Sequence, residues 1–205
     1  MSATRVPASP TVPAGEPRSM RADAQRNYEK LLNAAGAAFI EHGADDVSLE
    51  EIARRAGVGI GTLYRHFPTR QALLEAVYRD QVELLRARAE ELLAGDSPGD
   101  AFASWVRALA AFSSTKRSLI SAMLATLGKD SELLSSCSRV IHTSAETLLA
   151  RAQQAGAVRP DVTATDVIRL VHGISIATER APSDPAQADR MFTLILDGLR
   201  PQPAG

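Results

Sequence analysis

The sequence predicts an all-α chain of two units, a small N-terminal unit of three helices followed by a larger helical one. Three observations lead there. From Ala22 to Leu199 apolar residues recur at spacings of three and four, the period of an amphipathic helix. No stretch alternates apolar and polar residues as a half-buried strand would. The interruptions are short and rich in Gly and Pro, as at Gly95-Asp96-Ser97-Pro98-Gly99, a composition that stops helices.

Each element has its own signal. Residues 1–20 are rich in Pro, Ala and Ser, too poor in apolar side chains to offset the entropy of ordering, and are expected to form a flexible arm. A first helix opens near Ala22, carries Tyr28, Leu31, Leu32, Ala35, Phe39 and Ile40 on one face, and stops at Gly43. Ser48 followed by Glu51 fits a capping box and starts a second helix ending near Ala56. Gly57-Val58-Gly59 supplies a turn, and Ile60 to Phe67 form a third helix stopped by Pro68. Thr69 then caps a long fourth helix bearing Leu73, Leu74, Val77, Val82, Leu85, Leu92 and Leu93. Further helices are expected over about 100–113, 117–127, 131–155, 163–181 and 186–199.

Bulk properties narrow the function. The chain has 205 residues and a net charge of -1, which argues against coating nucleic acid by bulk electrostatics. The single Cys137 forms no intrachain bridge, and no apolar run reaches the ~18 residues of a membrane span. The first residues lack the apolar run of a secretory signal. A cytoplasmic protein without membrane contact is therefore expected.

One window departs from this neutrality. Between Glu51 and Glu75 there is no acidic residue, while Arg54, Arg55, Arg65, His66 and Arg70 all fall there. In a helix-turn-helix the second helix lies in the major groove of DNA, so it needs one packed and one free face. Ile52, Ala53, Ala56, Val58, Leu63 and Phe67 can form the packed side, leaving Ile60, Gly61, Thr62, Tyr64, Arg65 and His66 facing outward in part. Gly61, without a Cβ, permits close approach of the helix start to the duplex, and Gly59 stands beside it. Arg70 is expected to meet a backbone phosphate, with Tyr64 and His66 donating to others. Ile60 and Thr62 would touch thymine methyls, and discrimination would lean on DNA shape and on Arg18, Arg21 and Arg26 of the basic N-terminal segment.

Leu49 to Leu74, with its core AGVGIGTLYRHFPTRQALL, resembles the DNA-binding domain of the TetR family of one-component transcriptional regulators. The shared features are Ala56-Gly57-Val58, Gly61-Thr62-Leu63-Tyr64, His66-Phe67 and a basic residue opening the fourth helix, with Leu31, Ala34, Ala35, Phe39 and Gly43 matching in the first helix. Gly59 stands where such proteins often carry serine, and Arg70 where lysine is commoner. The resemblance implies that Thr62, Tyr64, His66 and Arg70 meet phosphates or bases. Ser48, at the start of the second helix, and Arg21, of the basic N-terminal segment, are expected to join the DNA-binding set. It also implies a DNA-binding domain over residues 21–70 and a helical effector-binding and dimerisation domain over residues 71–200. The two C-terminal helices would pair with those of a second copy, using Val167, Ile168, Val171, Ile174 and Ile176, then Phe192, Leu194, Ile195, Leu196 and Leu199.

The expected protein is a homodimeric repressor that binds a near-palindromic double-stranded operator and is released by an unknown small-molecule effector. Phe102, Trp105, Phe112, Met123 and His172 are candidates to line the effector cavity. No cofactor or metal is called for. Gly57, Gly59 and Gly61 lack the preceding strand of a dinucleotide loop, and His142 with Glu146 lacks a third ligand. A small helical enzyme and an effector-independent architectural DNA binder are the competing functions, and no nucleophile elbow or triad spacing favours the enzyme.

Overall fold

The computed structural model describes residues 17–44, 46–115, 117–127, 131–179 and 185–201. Among them are nine helices: α1 (Pro17–His42), α2 (Leu49–Ala56), α3 (Ile60–His66), α4 (Arg70–Leu93), α5 (Pro98–Thr115), α6 (Arg117–Leu127), α7 (Glu132–Gln154), α8 (Ala164–Glu179) and α9 (Pro185–Gly198). The described residues contain no strand. The first sixteen residues of the expected arm lie outside the described part. The rest of it is helical, because α1 opens at Pro17, five positions before Ala22. Proline is well suited to a first helical position, where its missing N–H costs no intrahelical bond.

The helix ends follow local chemistry. Gly43 has φ 88° and Gly57 φ 64°, a left-handed conformation that glycine adopts without penalty. At Gly57 the chain reverses in a Schellman-type stop, with the Val58 N–H donating to the Ala53 carbonyl at 3.0 Å. Ser48 Oγ accepts from the Glu51 N–H at 3.1 Å, and Thr69 Oγ1 caps α4 by accepting from the Ala72 N–H at 3.1 Å. The expected capping box at Ser48 is only half formed. The Glu51 carboxylate turns instead to Arg54 and Arg55, since charged partners outcompete a backbone amide for it. A reciprocal box forms at the start of α8, where Thr163 Oγ1 accepts from the Asp166 N–H at 3.2 Å and Asp166 Oδ2 from the Thr163 N–H at 3.0 Å.

One buried cluster runs through the whole molecule. Leu31, Phe39, Ile52, Leu63 and Leu73 close the small N-terminal unit, and Phe102, Trp105, Leu109, Met123, Leu148 and Val171 fill the larger one. The long α4 belongs to both, packing against α1 at one end and against α5 and α7 further along. At its far end Arg151 of α7 donates through Nη2 to the Gly95 carbonyl at 2.8 Å and through Nη1 to the Leu93 carbonyl. These bonds satisfy acceptors that a helix C-terminus otherwise leaves open. α6 bridges the two units as well, touching α1, α4 and α5.

Candidate nucleic-acid interface

The short α3 is held by Leu63, which is wholly buried, and by Phe67 just after it. The Phe67 ring lies 5.2 Å from that of Tyr28 on α1, and the Tyr28 ring also meets His66 edge-on at 5.9 Å. This aromatic contact fixes the roll of α3 about its axis. Tyr28 was legible only as an apolar position of the first helix, because its pairing with His66 spans two units of sequence with no local pattern to mark it.

The opposite side of α3 is open. Gly59, Ile60, Gly61, Tyr64 and Arg65 are exposed, Thr62 and His66 half-buried, with 38% of Ile60 and 45% of Tyr64 accessible. Gly59 and Gly61 are informative here. Neither has a positive φ, and a Cβ added to either would meet nothing within 4 Å. No contact among the described residues therefore requires glycine at either position, and inside α3 Gly61 costs about 1 kcal/mol relative to Ala, whereas Gly59 is the N-cap, where glycine is well tolerated. Gly59 also gives α3 no side-chain cap.

The electrostatics are more selective than the acid-free window suggests. Arg54 forms a paired bond to Glu51 at 2.9 and 2.8 Å. Arg55 joins Glu51 at 2.8 Å to Glu41 at the end of α1 at 2.6 Å. Hydrogen bonds from Arg55 hold both carboxyls below the ordinary carboxylate value, with Arg54 helping at Glu51. Arg65 has no carboxylate partner among the described residues. Its side chain lies along α3, donating to the Gly61 carbonyl at 3.2 Å and to Thr62 Oγ1 at 3.1 Å.

Arg70 is placed otherwise than the phosphate expectation had it. Its guanidinium turns inward, giving Nη1 to the Val47 carbonyl at 2.6 Å and Nη2 to the Ala44 carbonyl, above the Phe39 ring at 5.8 Å. Both acceptors belong to buried residues of the loop between α1 and α2, and a cation that satisfies them is drawn away from the surface. Ser48 is exposed but its hydroxyl oxygen serves as the α2 cap. Arg21 is exposed on the first turns of α1, and Arg26 there pairs with Asp23.

The five effector-cavity candidates do not converge. Trp105 and Met123 are wholly buried, and Phe102 and Phe112 nearly so. The Trp105 indole N–H donates to the Leu85 carbonyl at 3.3 Å, which marks it as a packed core residue with its polar atom satisfied. Three of the five border separate cavities: Phe102 one between α5, the end of α7 and α9, Phe112 one between α4 and α5, and His172 one between α5, α6 and α8. Cys137 is buried, and burial pushes its thiol pKa up, which makes it less reactive. Among the described residues no group of three His, Cys, Asp or Glu side chains is arranged to hold a metal, and no helix is long and apolar enough to cross a membrane.

Comparison with known proteins places this surface in context. Residues 31–77 match the family model of bacterial regulatory proteins of the tetR family, and residues 97–201 match that of the C-terminal domain of SbtR-like transcriptional regulators. A solved TetR transcriptional regulator from Streptomyces coelicolor is 38% identical, with 85% of this chain and 99% of that one covered at a TM-score of 0.75. A TetR transcription regulatory protein from Mycobacterium vanbaalenii is 36% identical, covering 89% of this chain and 99% of that one at 0.73. The HTH-type transcriptional regulator UidR of Escherichia coli strain K12 is 27% identical over 156 residues, 75% of this chain and 80% of that protein.

Proposed function

The chain belongs to the TetR family of bacterial regulatory proteins, a DNA-binding transcriptional regulator and not an enzyme, and on that premise we propose that it is a ligand-responsive repressor acting as a homodimer. Residues 21–70 form the DNA-binding unit, and residues 71–200 the effector-binding and dimerisation unit. Two copies of α3 enter successive major grooves of a near-palindromic operator, and a small molecule in the C-terminal unit releases them. The cytoplasm is where such a protein meets its operator.

The observation that carries this reading is the open face of α3, where Gly59 and Gly61 leave room that nothing among the described residues fills. Ile60 and Thr62 sit at the leading edge, with Tyr64, Arg65 and His66 behind, and with Ser48 and Arg21 exposed on α2's cap and on α1. Arg65 supplies the phosphate charge and orients the Thr62 hydroxyl. Arg70 acts from inside, by fixing α4 to the loop ahead of α2. On the far side Leu170 of α8 and Leu194 of α9 stay exposed, Leu194 at 71%, an apolar surface suited to a second copy of this chain.

Selection of bound DNA from a random pool tests the reading. A two-fold symmetric sequence should be enriched, and binding to it should be abolished by small molecules that occupy the C-terminal unit. A pool that yields no symmetric sequence would overturn the dimeric repressor.

A further inference from the structure

Between α5, α6 and α8 lies a cavity of about 190 Å³ lined by Ser113, Ile120, His172, Ser175 and Ile176. It contains an anomaly. Ser113 is 94% buried, and its hydroxyl is the one buried side-chain oxygen among the described residues without a hydrogen-bond partner. A serine within a helix ordinarily bonds to the carbonyl four residues back, and Ser175, across the cavity, does so with the Val171 carbonyl at 2.9 Å. Ser113 does not. Leaving a buried hydroxyl unpaired is costly, and the walls around it are otherwise apolar apart from the Ser175 and His172 side chains. Among the described residues no carboxylate, lysine or arginine lines the space, and against those walls a charged guest would lose its hydration without a counter-ion.

We infer that this cavity is the effector subsite, and that it takes a small neutral molecule whose single oxygen bonds to the Ser113 hydroxyl while an apolar body lies against Ile120 and Ile176. This rests on the reading of the protein as an effector-responsive repressor. The volume is below the ~300 Å³ at which drug-sized pockets begin, so the part of the guest that enters is an alcohol, ketone or lactone group with a few carbons. The location gives the guest a route to the DNA. Ile120 is on α6, which packs against α1 of the DNA-binding unit and against α4, so a filled cavity shifts α6 against the two helices that set the pose of α3.

The test uses the full chain, methyl-labelled at isoleucine, with cyclohexanol and cyclohexanone as probes and cyclohexanecarboxylate as the charged control. The Ile120 and Ile176 methyl resonances should shift saturably with both neutral probes and not with the carboxylate. Ser113→Ala should weaken both neutral probes at least fivefold and also raise the melting temperature of the free protein by about 2–4 °C, as expected for removing one unpaired buried hydroxyl from a chain of this size. Ser175→Leu, which fills the space, should abolish the shifts with helix content unchanged. Absence of saturable shifts, equal response to the carboxylate, or unchanged affinity in Ser113→Ala would each overturn the assignment. Operator selection is read separately. A protein that enriches an operator but ignores the probes loses this subsite and keeps its repressor reading, whereas one that binds the probes but enriches no operator does the reverse.

Discussion

Arg70, the first residue of α4, donates to the carbonyl oxygen of Val47 at 2.6 Å, across the top of the N-terminal unit. With its second bond to the Ala44 carbonyl, it fastens the long helix to the loop that precedes α2. Arg70→Ala should therefore cost about 1.5–3 kcal/mol of stability, the usual range for hydrogen bonds from a charged donor, visible in denaturant unfolding. Operator affinity should fall with it, but the slope of log affinity against log salt should stay as in the parent. A slope reduced by about one unit would instead make Arg70 a direct phosphate ligand.

Gly61→Ala should separate folding from recognition. The added methyl meets open space in the free protein, so stability should stay level or rise by up to about 1 kcal/mol. Operator affinity should drop, because the methyl occupies the space the duplex is expected to enter. Gel-shift titration beside thermal melting measures both, and an alanine variant that binds as well as the parent would show that α3 stands further from the DNA.

Ser48→Asp probes the cap. Aspartate caps a helix as well as serine does, so the fold should be unaffected, whereas Ser48→Ala should cost about 1 kcal/mol. The carboxylate placed at the exposed start of α2 should weaken operator binding at low salt, the loss shrinking as salt is added. Equal affinity of parent and Ser48→Asp at every salt concentration would place the start of α2 away from the phosphates.

Acid should loosen the link between α1 and α2. Arg55 holds Glu41 and Glu51 below their ordinary pKa of 4.5, and carboxylates held low contribute stability that is complete above that value and lost as pH falls through the folded one. The parent should thus lose melting temperature between about pH 5 and pH 3 more steeply than Glu51→Gln, which begins lower at neutral pH. Parallel melting curves for the two proteins across that range would show that the pair contributes nothing.

Leu194→Glu should yield a monomer. The residue is 71% exposed on α9, so the charge leaves the isolated fold intact but opposes burial against a second copy. Sedimentation should show the mass of one chain with unchanged helix content, and operator affinity should collapse. A variant that remains dimeric would move the interface elsewhere.

The elements themselves were legible in the sequence. Period, glycine stops and the Thr69 cap placed the helices of the C-terminal unit to within a few residues, because each signal is local. The inward turn of Arg70 was not legible, since its acceptors are main-chain oxygens more than twenty positions earlier and leave no side-chain pattern. The same holds for Glu51, whose capping role was drawn off by two arginines on its own helix. The aromatic set in the C-terminal unit suggested a cavity wall, but Trp105 and Met123 are filled-in core. What marks the cavity is an unpaired serine, and hydrogen-bond satisfaction is a property of the folded chain alone.

Arg70 and Arg151 grip the two ends of α4, and every oxygen they grip is main-chain, at Ala44, Val47, Leu93 and Gly95. Main-chain oxygens persist whatever side chain accompanies them. The two anchors of α4, one in each unit, can therefore survive extensive change on their acceptor side while depending on two guanidinium groups. The hold on α4 is thus indifferent to side-chain change at its acceptors, and saturation mutagenesis should show the two anchors as intolerant arginines facing acceptor positions limited only by their own packing.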